Sequence, residues 1–571
     1  MTNDWNHLPP ILVTTPVLAL AAGPDGLWAS GPGGVAWHPS GSEWHSRISG
    51  LPLTDVAALV YTGGWLIAGG AEGIARSKDG GLSWQAADIL GDATAVAAIV
   101  ASPSFREDTT ALAATLGGGI IRSEDAGRSW KPATFGLQEF EVIALAWGTG
   151  EQLLAATSDG VYRSPNAGRA WRLGAGSEGE VIAAVAFLPD GTALAALEQG
   201  GLLRSNDTGE TWQPWGDLPA QLEATALHVT PEGVILLGST GGALRSLDGG
   251  QSWAQILDQP IYTFAADANS MYAGTAEGIV GLWADMAANP DTPEWRSLDR
   301  PPLHDLRRLH IVDGQPLVAG IRTPPVVLHN GEWQALDATP LPLSALTHGP
   351  HATLWTSSPA GLHRSTNGGY TFTTVIAGAA GSMARITFRP DGSGFAGSAD
   401  GQRLLRTSDG GTTWQQLASP FGVLPLAALQ AMPGLLIGGT YDPRRKIAQL
   451  WRSFDEGQNW ERGSEVQTDW PVVATSAAPP LITLGGVMFR HQNRWDRLAV
   501  GTEPGGVRRI IGGAALLLAL TTTGVYRSED DGVSWQHDDD GLPVAQVMDI
   551  AIDGATLYVL MAGGLVWTRA L

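Results

Sequence analysis

Apolar residues in this chain come in short stretches, divided by glycine or by a polar turn. Val56-Ala57-Ala58-Leu59-Val60 is followed by a turn and then by Leu66-Ile67-Ala68-Gly69. A third, Gly-led stretch closes on Arg76-Ser77, and a fourth opens at Trp84. Stretches this short and this rich in glycine predict strands, because a helix face needs a 3.6-residue rhythm sustained over many more positions. The same four-part order returns along the whole chain.

The end of each unit is its most recognisable part. Arg76 to Trp84 reads RSKDGGLSW, Arg122 to Trp130 RSEDAGRSW, Arg163 to Trp171 RSPNAGRAW, Arg204 to Trp212 RSNDTGETW and Arg245 to Trp253 RSLDGGQSW. Later copies are RSTNGGYTF (Arg364 to Phe372), RTSDGGTTW (Arg406 to Trp414), RSFDEGQNW (Arg452 to Trp460) and RSEDDGVSW (Arg527 to Trp535). Trp5, Trp44, Trp295, Trp333 and Trp495 mark weaker copies, giving fourteen marks spaced 35 to 46 residues apart. Four short strands in a unit of this period make one blade of a β-propeller, and the stretches are too short for paired helices of the same period.

The segment S-x-D-x-G-x-[ST]-W has a physical task as a tight hairpin between the third and fourth strands. Its Asp or Asn can accept backbone N–H groups a few residues on, its Gly permits positive φ, its Ser or Thr can bond back across the turn, and its Trp can bury its ring between blades. Asp79, Asp125, Asp207, Asp248, Asp409, Asp455 and Asp530 are therefore expected to be structural, in peripheral turns.

RSxDxGxTW resembles the Asp-box, or bacterial-neuraminidase repeat, of sialidases, the sortilin ectodomain, family 74 xyloglucan hydrolases and the photosystem II assembly-factor propellers. The stretch Ser102 to Asp108 (SPSFRED) is similar to the sortilin and xyloglucanase style of repeat. The resemblance spans essentially the whole chain. It implies the propeller fold and leaves function open, since the same fold hosts enzymes and binding proteins.

Fourteen blades in one ring would leave a wide, hard-to-fill channel, so two tandem seven-bladed propellers are expected. The chain opens on a fourth-strand signature at Trp5 and ends after three strands of its last unit. The segment from Trp295 to Pro302 resembles the N-terminal one, and a linker-like stretch, Asp285 to Pro293, stands before it. Leu-Pro-Leu follows both Trp44 and Trp333, at 51–53 and 341–343. These matches predict a duplication with a boundary near Ala288, giving domains 1–287 and 288–571. Each half would close its ring by pairing its own first strand with its own last three, which removes exposed sheet edges. Trp5 would then join the blade of Ile261 to Trp283, and Trp295 the blade of Val547 to Leu571.

Composition narrows the partners. With 34 basic against 56 acidic residues and a net charge of −22, the chain does not read as a nucleic-acid binder. It has no cysteine, which removes disulfides, thiolate metal sites and cysteine nucleophiles. MTNDWNHLPP has neither a basic nor an apolar leader region, and the apolar run Ile510 to Leu520 is too short to span a bilayer, so a cytoplasmic location without a membrane span is expected.

No cofactor, metal or catalytic set stands out. Sialidase chemistry would need an arginine triad, an activated tyrosine and a carboxylic acid, and Phe388-Arg389-Pro390 is one residue short of that family's F-R-I-P element. No counterpart of the family 74 catalytic segments is found, and His304, Asp305 and His310 are too loosely placed to form a ligand set. What does stand out is an arginine asymmetry. First strands in the N-terminal half are bland, whereas those in the C-terminal half carry Arg307, Arg308, Arg385, Arg389, Arg508 and Arg509, with Arg444-Arg445-Lys446 in an extended turn. Only one residue of each adjacent pair can face the channel, and Asp305 and Asp549 are the main acids at hand. The function expected is a non-enzymatic scaffold or assembly-factor propeller that docks a protein or peptide on one face, with an anion or carboxylate held by these arginines. The alternative is a family 74-like or sialidase-like glycoside hydrolase working in the cleft between the rings.

Overall fold

The computed structural model describes the chain from Trp5 onward except 10, 12–14, 40–42, 49, 54, 92–94, 217, 219–221, 268–269, 284–294, 299, 379–382, 423, 443–444, 469–470, 475–480, 485–486, 492–494, 499–505, 514–515, 543–546 and 562–563. The protein is built almost wholly of β-strands, in fourteen antiparallel sheets that each hold four strands of a meander. One sheet gains a fifth, short strand, Asp88–Ile89, parallel to Ser129–Pro132. The single α-helix among the described residues is one turn, Phe105–Asp108. Two seven-bladed β-propellers account for all fourteen sheets.

The sequence pattern explains the blade. In the second blade the inner strand Val56–Thr62 pairs with Trp65–Gly70, which pairs with Gly73–Ser77, which pairs with Gln85–Ala86. Second strands are buried on both faces, so they read as continuous apolar runs, as in Leu153–Thr157. Fourth strands are more exposed and most are short, Glu461–Gln467 being the longest.

The repeated segments form the expected turns between third and fourth strands. Ser77 Oγ donates to Asp79 Oδ1 at 2.7 Å and accepts Gly81 N at 2.8 Å. Asp79 in turn accepts Ser83 N at 2.9 Å and Ser83 Oγ at 2.5 Å. The same set recurs around Asp125, Asp207, Asp248, Asp409, Asp455 and Asp530. Hydrogen bonds from Ser534, which outweigh burial, hold Asp530 at about 2. Two consecutive residues of each turn are left-handed, as in Ala126 (φ 57°) and Gly127 (φ 79°). The second must be glycine for a further reason. A Cβ on Gly411 would lie 2.3 Å from the ring of Trp355 in the preceding blade.

The segments also tie each blade to the next, a role the sequence did not reveal. Arg76 donates to the carbonyls of Asp125 and Ala126 at 3.1 and 3.3 Å, and Arg122 to that of Ala167 at 3.0 Å. Trp84 Nε1 reaches back to Arg47 O at 2.7 Å.

Ring closure differs from expectation. The chain divides into two compact units, Leu12–Asp305 and Leu306–Leu571 together with Met1–Ile11. Ala288 lies outside the described residues, and the division falls instead at Asp305. The first unit takes Trp295–Ser297 as the fourth strand of its own last blade, with Leu282 opposite Trp295. It closes by packing and by Val17 N donating to Thr275 O at 3.0 Å, with no strand exchanged. The strand Asn6–His7 instead pairs with Val566–Ala570, completing the last blade of the second unit. Trp5 Nε1 donates to Asp540 O, and the Arg569 guanidinium stacks on the Trp5 ring. The physical reason is that Trp295–Ser297 already occupies the outer edge of the blade from Ile261, so Asn6–His7 pairs at the open edge of Val566–Ala570.

Removal of residues 1–9 is therefore expected to lower the melting temperature of the second unit and leave the first unchanged. Calorimetry that shows the first transition moving instead would contradict the pairing. Asp125→Ala removes three side-chain acceptor contacts and should cost about 1–2 kcal/mol in urea unfolding, with Asp125→Asn milder.

Candidate functional site

The inner strands of the second unit are Arg308–Val312, Ala345–His348, Arg385–Phe388, Leu426–Met432, Val473–Ala474, Arg509–Gly513 and Val547–Asp553. Arg308 opposes Ala319, Arg385 opposes Gly397 and Arg509 opposes Leu520, each the last residue of its blade's second strand. Asp549 opposes Leu560, one short of the end of its strand. These registers put Arg308, Arg385, Arg509 and Asp549 at one level, where the inner strands begin.

Their environments differ. Asp549 is fully buried and entirely used, accepting Leu309 N at 2.8 Å on one oxygen, Ile550 N at 3.0 Å on the other, and the Arg509 guanidinium. Arg509 thus has a built-in counter-ion. Arg385 has none among the described residues. Its Nε donates to Ala427 O and its NH1 to Ala384 O, both at 2.8 Å. Burial, together with the positive charge of Arg308, pushes its pKa down to about 10. Arg308 is exposed and, like Arg385, makes no ion pair with a described residue. Arg508 stands exposed one position before Arg509, and partial desolvation lowers the pKa of its guanidinium. Arg307 is half-buried, its N donating to Ala319 O.

Arg389 does not belong to this group. It follows the other end of its strand, about 13 Å from Arg385 at ordinary strand rise, and is buried, with its Nη1 donating to both carboxylate oxygens of Glu456 at 2.8 and 2.7 Å. Glu456 occupies a left-handed position in the next blade's turn. Arg389 is thus another blade-to-blade tie. Arg444 lies outside the described residues, and Arg445 is exposed beside Asp442.

Two histidines lie further along the inner strands, His348 at the far end of its own, opposite Leu354. His310 lies two residues after Arg308, on the same side of the strand, and its ring is 6.1 Å from that of His348. Burial, then the charges of Arg509, His348 and Arg308, hold the pKa of His310 well below its usual range, and burial lowers His348. Both are neutral at pH 7. Periodicity carries no signal for them, since neither sits in a repeated segment.

The first unit's inner strands are bland, as expected. They surround a space of about 310 Å³ lined mostly by apolar groups, among them Leu18, Ala57, Ile143, Val181 and Tyr262. Outside the channels, His537, Asp539 and Asp540 bring ligand-capable atoms within 4.8 Å of one another. Asp539 already accepts His537 Nδ1 at 2.8 Å and Val525 N, so this group is accounted for by its own blade.

No protein-family model matches the chain, and no curated protein matches it. Solved structures do. The GH74 xyloglucanase from Xanthomonas campestris is similar with a TM-score of 0.57 and 18% identity over 100% of both chains. The GH74 enzyme of Niastella koreensis gives 0.62 and 14%, covering 98% of this chain and 99% of its own. An ancestral GH74 enzyme gives 0.52 and 15%, over 99% and 98%. At such identities the likeness shows the β-propeller fold and carries no residue roles across.

Because His310 is held neutral in the fold, its contribution to stability is complete above its unfolded pKa near 6.5 and is lost as pH falls below that value. Unfolding of the second unit should therefore ease progressively below about pH 6.5, and His310→Gln should flatten that dependence. An unchanged pH profile in the variant would show that the loss comes from elsewhere.

Proposed function

We propose that the protein is a non-enzymatic, partner-binding propeller of the Asp-box kind, which docks an anionic protein segment at the arginine-bearing mouth of its second unit. The observation that carries this is the set at one level: Arg308 and Arg385 lie within electrostatic reach of each other without a described carboxylate, while Arg509 beside them is neutralised by Asp549. Like charges held together in a part-buried setting favour an incoming anion. Arg308 and Arg508 at the rim can steer such a partner and orient its carboxylates by paired N–H donors. Short connections between most strands leave a broad, rigid face suited to a protein surface. The alternative, a glycoside hydrolase, draws on fold likeness to GH74 enzymes alone.

A test uses a capped synthetic peptide of alternating Glu and Gly and the full chain. Binding should weaken as salt rises. Arg308→Ala combined with Arg508→Ala should weaken it about tenfold or more and flatten the salt dependence, with both melting transitions unchanged. Equal binding by wild type and variant, or release of reducing sugar from xyloglucan at enzymatic rates, would overturn the reading.

A further inference from the structure

The second unit contains its own example of how this level of the channel seats a carboxylate. Arg509 on one blade, Asp549 on the next and the Leu309 N–H on the one after converge on a single planar group. Three blades away the same positions recur. Arg385 occupies the register of Arg509: Ala384 N donates to Gly397 O just as Arg508 N donates to Leu520 O. The following inner strand also matches. Leu426 opposes Thr440 and Ala428 opposes Gly439 across a bulge, as Val547 opposes Met561 and Asp549 opposes Leu560. The residue at the acid's position is thus Ala428.

The geometry points to a carboxylate-binding site at Arg385 and Arg308, in which a carboxylate supplied from outside balances the charge that Asp549 balances for Arg509. This rests on the partner-docking reading above and names its ligand group. Arg385 is held in place by two backbone carbonyls, which satisfy donors but leave its charge uncompensated by any described carboxylate. An uncompensated guanidinium beside another cation is costly, and a bound anion relieves both charges at once. A carboxylate is favoured because the matching position in the same ring already accepts one, with a guanidinium and a backbone N–H as donors. His310, neutral two residues along the strand from Arg308, adds no competing charge at pH 7.

Two sources could present this group, a free small dicarboxylate or an acidic side chain of a protein partner, and calorimetric titration with glutarate and with an N- and C-capped peptide carrying one Glu separates them. Wild type should bind one equivalent of at least one probe. Ala428→Asp should supply the missing internal acid and weaken that binding about tenfold or more, with both melting transitions retained. Should Ala428→Asp disturb the packing around Val472 and Ile482, Arg385→Gln, which removes the charge without adding one, carries the same expectation. Wild-type affinity in a folded Ala428→Asp or in Arg385→Gln would overturn the site. If those variants bind normally while the Arg308→Ala, Arg508→Ala pair loses the acidic peptide, rim docking stands and the carboxylate site falls. If neither glutarate nor any acidic peptide binds wild type, both fall.

Discussion

A four-stranded sheet of short, doubly buried strands has two faces to cover, and this protein covers them only with the sheets on either side. Every other feature follows from that constraint. A blade such as Leu153–Thr157 with Gly160–Ser164 has no polar face to offer water, so no blade can stand at the end of a row. The row must close on itself, and the turns must fix each blade's angle to the next. The turn around Asp125 does the second task. Its carboxylate and the Ser123 hydroxyl satisfy the turn's own N–H groups, so the turn stays rigid while its outer carbonyls are left for Arg76 of the preceding blade. Rigid turns that present carbonyls, and arginines that reach for them, make the ring angle a property of the sequence.

The blades were legible because their signal is local. Short apolar runs, Gly-led third strands and the recurring turn all lie within one unit, and periodicity multiplied them across the chain. The closure was not legible, because Trp5 and Trp295 carry the same fourth-strand signature and both edges accept it. What decides is the number of strands each neighbouring blade already holds. The blade from Ile261 takes its fourth strand at Trp295, on the far side of residues 284–294, and the blade from Val547 takes Asn6–His7. The site was half legible for a related reason. Arginine on an inner strand is visible as a residue type, but whether it is spent internally depends on a partner far along the chain. Arg389 finds Glu456 and Arg509 finds Asp549, pairs set by ring geometry that no local pattern announces.

The contrast between the two units shows how a repeat fold acquires chemistry. Their blades share strand count, turn and register, and those features are occupied by structural tasks. The positions left to vary are the ones at the mouth of the channel, where a side chain touches neither the turn network nor the packed faces. In the first unit these are mostly apolar, with Glu198 the one charged group, around a space of about 310 Å³. In the second they are Arg308 and Arg385, with His310 two residues further in. Function sits where the repeat imposes least, which is why the turns, for all their aspartates, are poor candidates for it.

The exchanged closure also makes sense in terms of chain entropy. The second ring needs Asn6–His7 beside Val566–Ala570, a contact between opposite ends of the chain, and a flexible loop of that length would carry a large closure cost and fold slowly. The first unit removes most of it. Its entering and leaving segments meet at one turn: a Cβ on Gly31 would touch Pro16 O at 2.5 Å and Leu303 at 3.5 Å, and one on Gly33 would meet His304 O at 2.2 Å. Once Leu12–Asp305 has folded, residues 16 and 303 are neighbours, and the second ring experiences the whole first unit as a short connection. A unit whose ends meet can be carried inside another ring at little topological cost. Closure of the first ring from its own strands therefore lowers the entropic cost of seating Asn6–His7 beside Val566–Ala570 in the second.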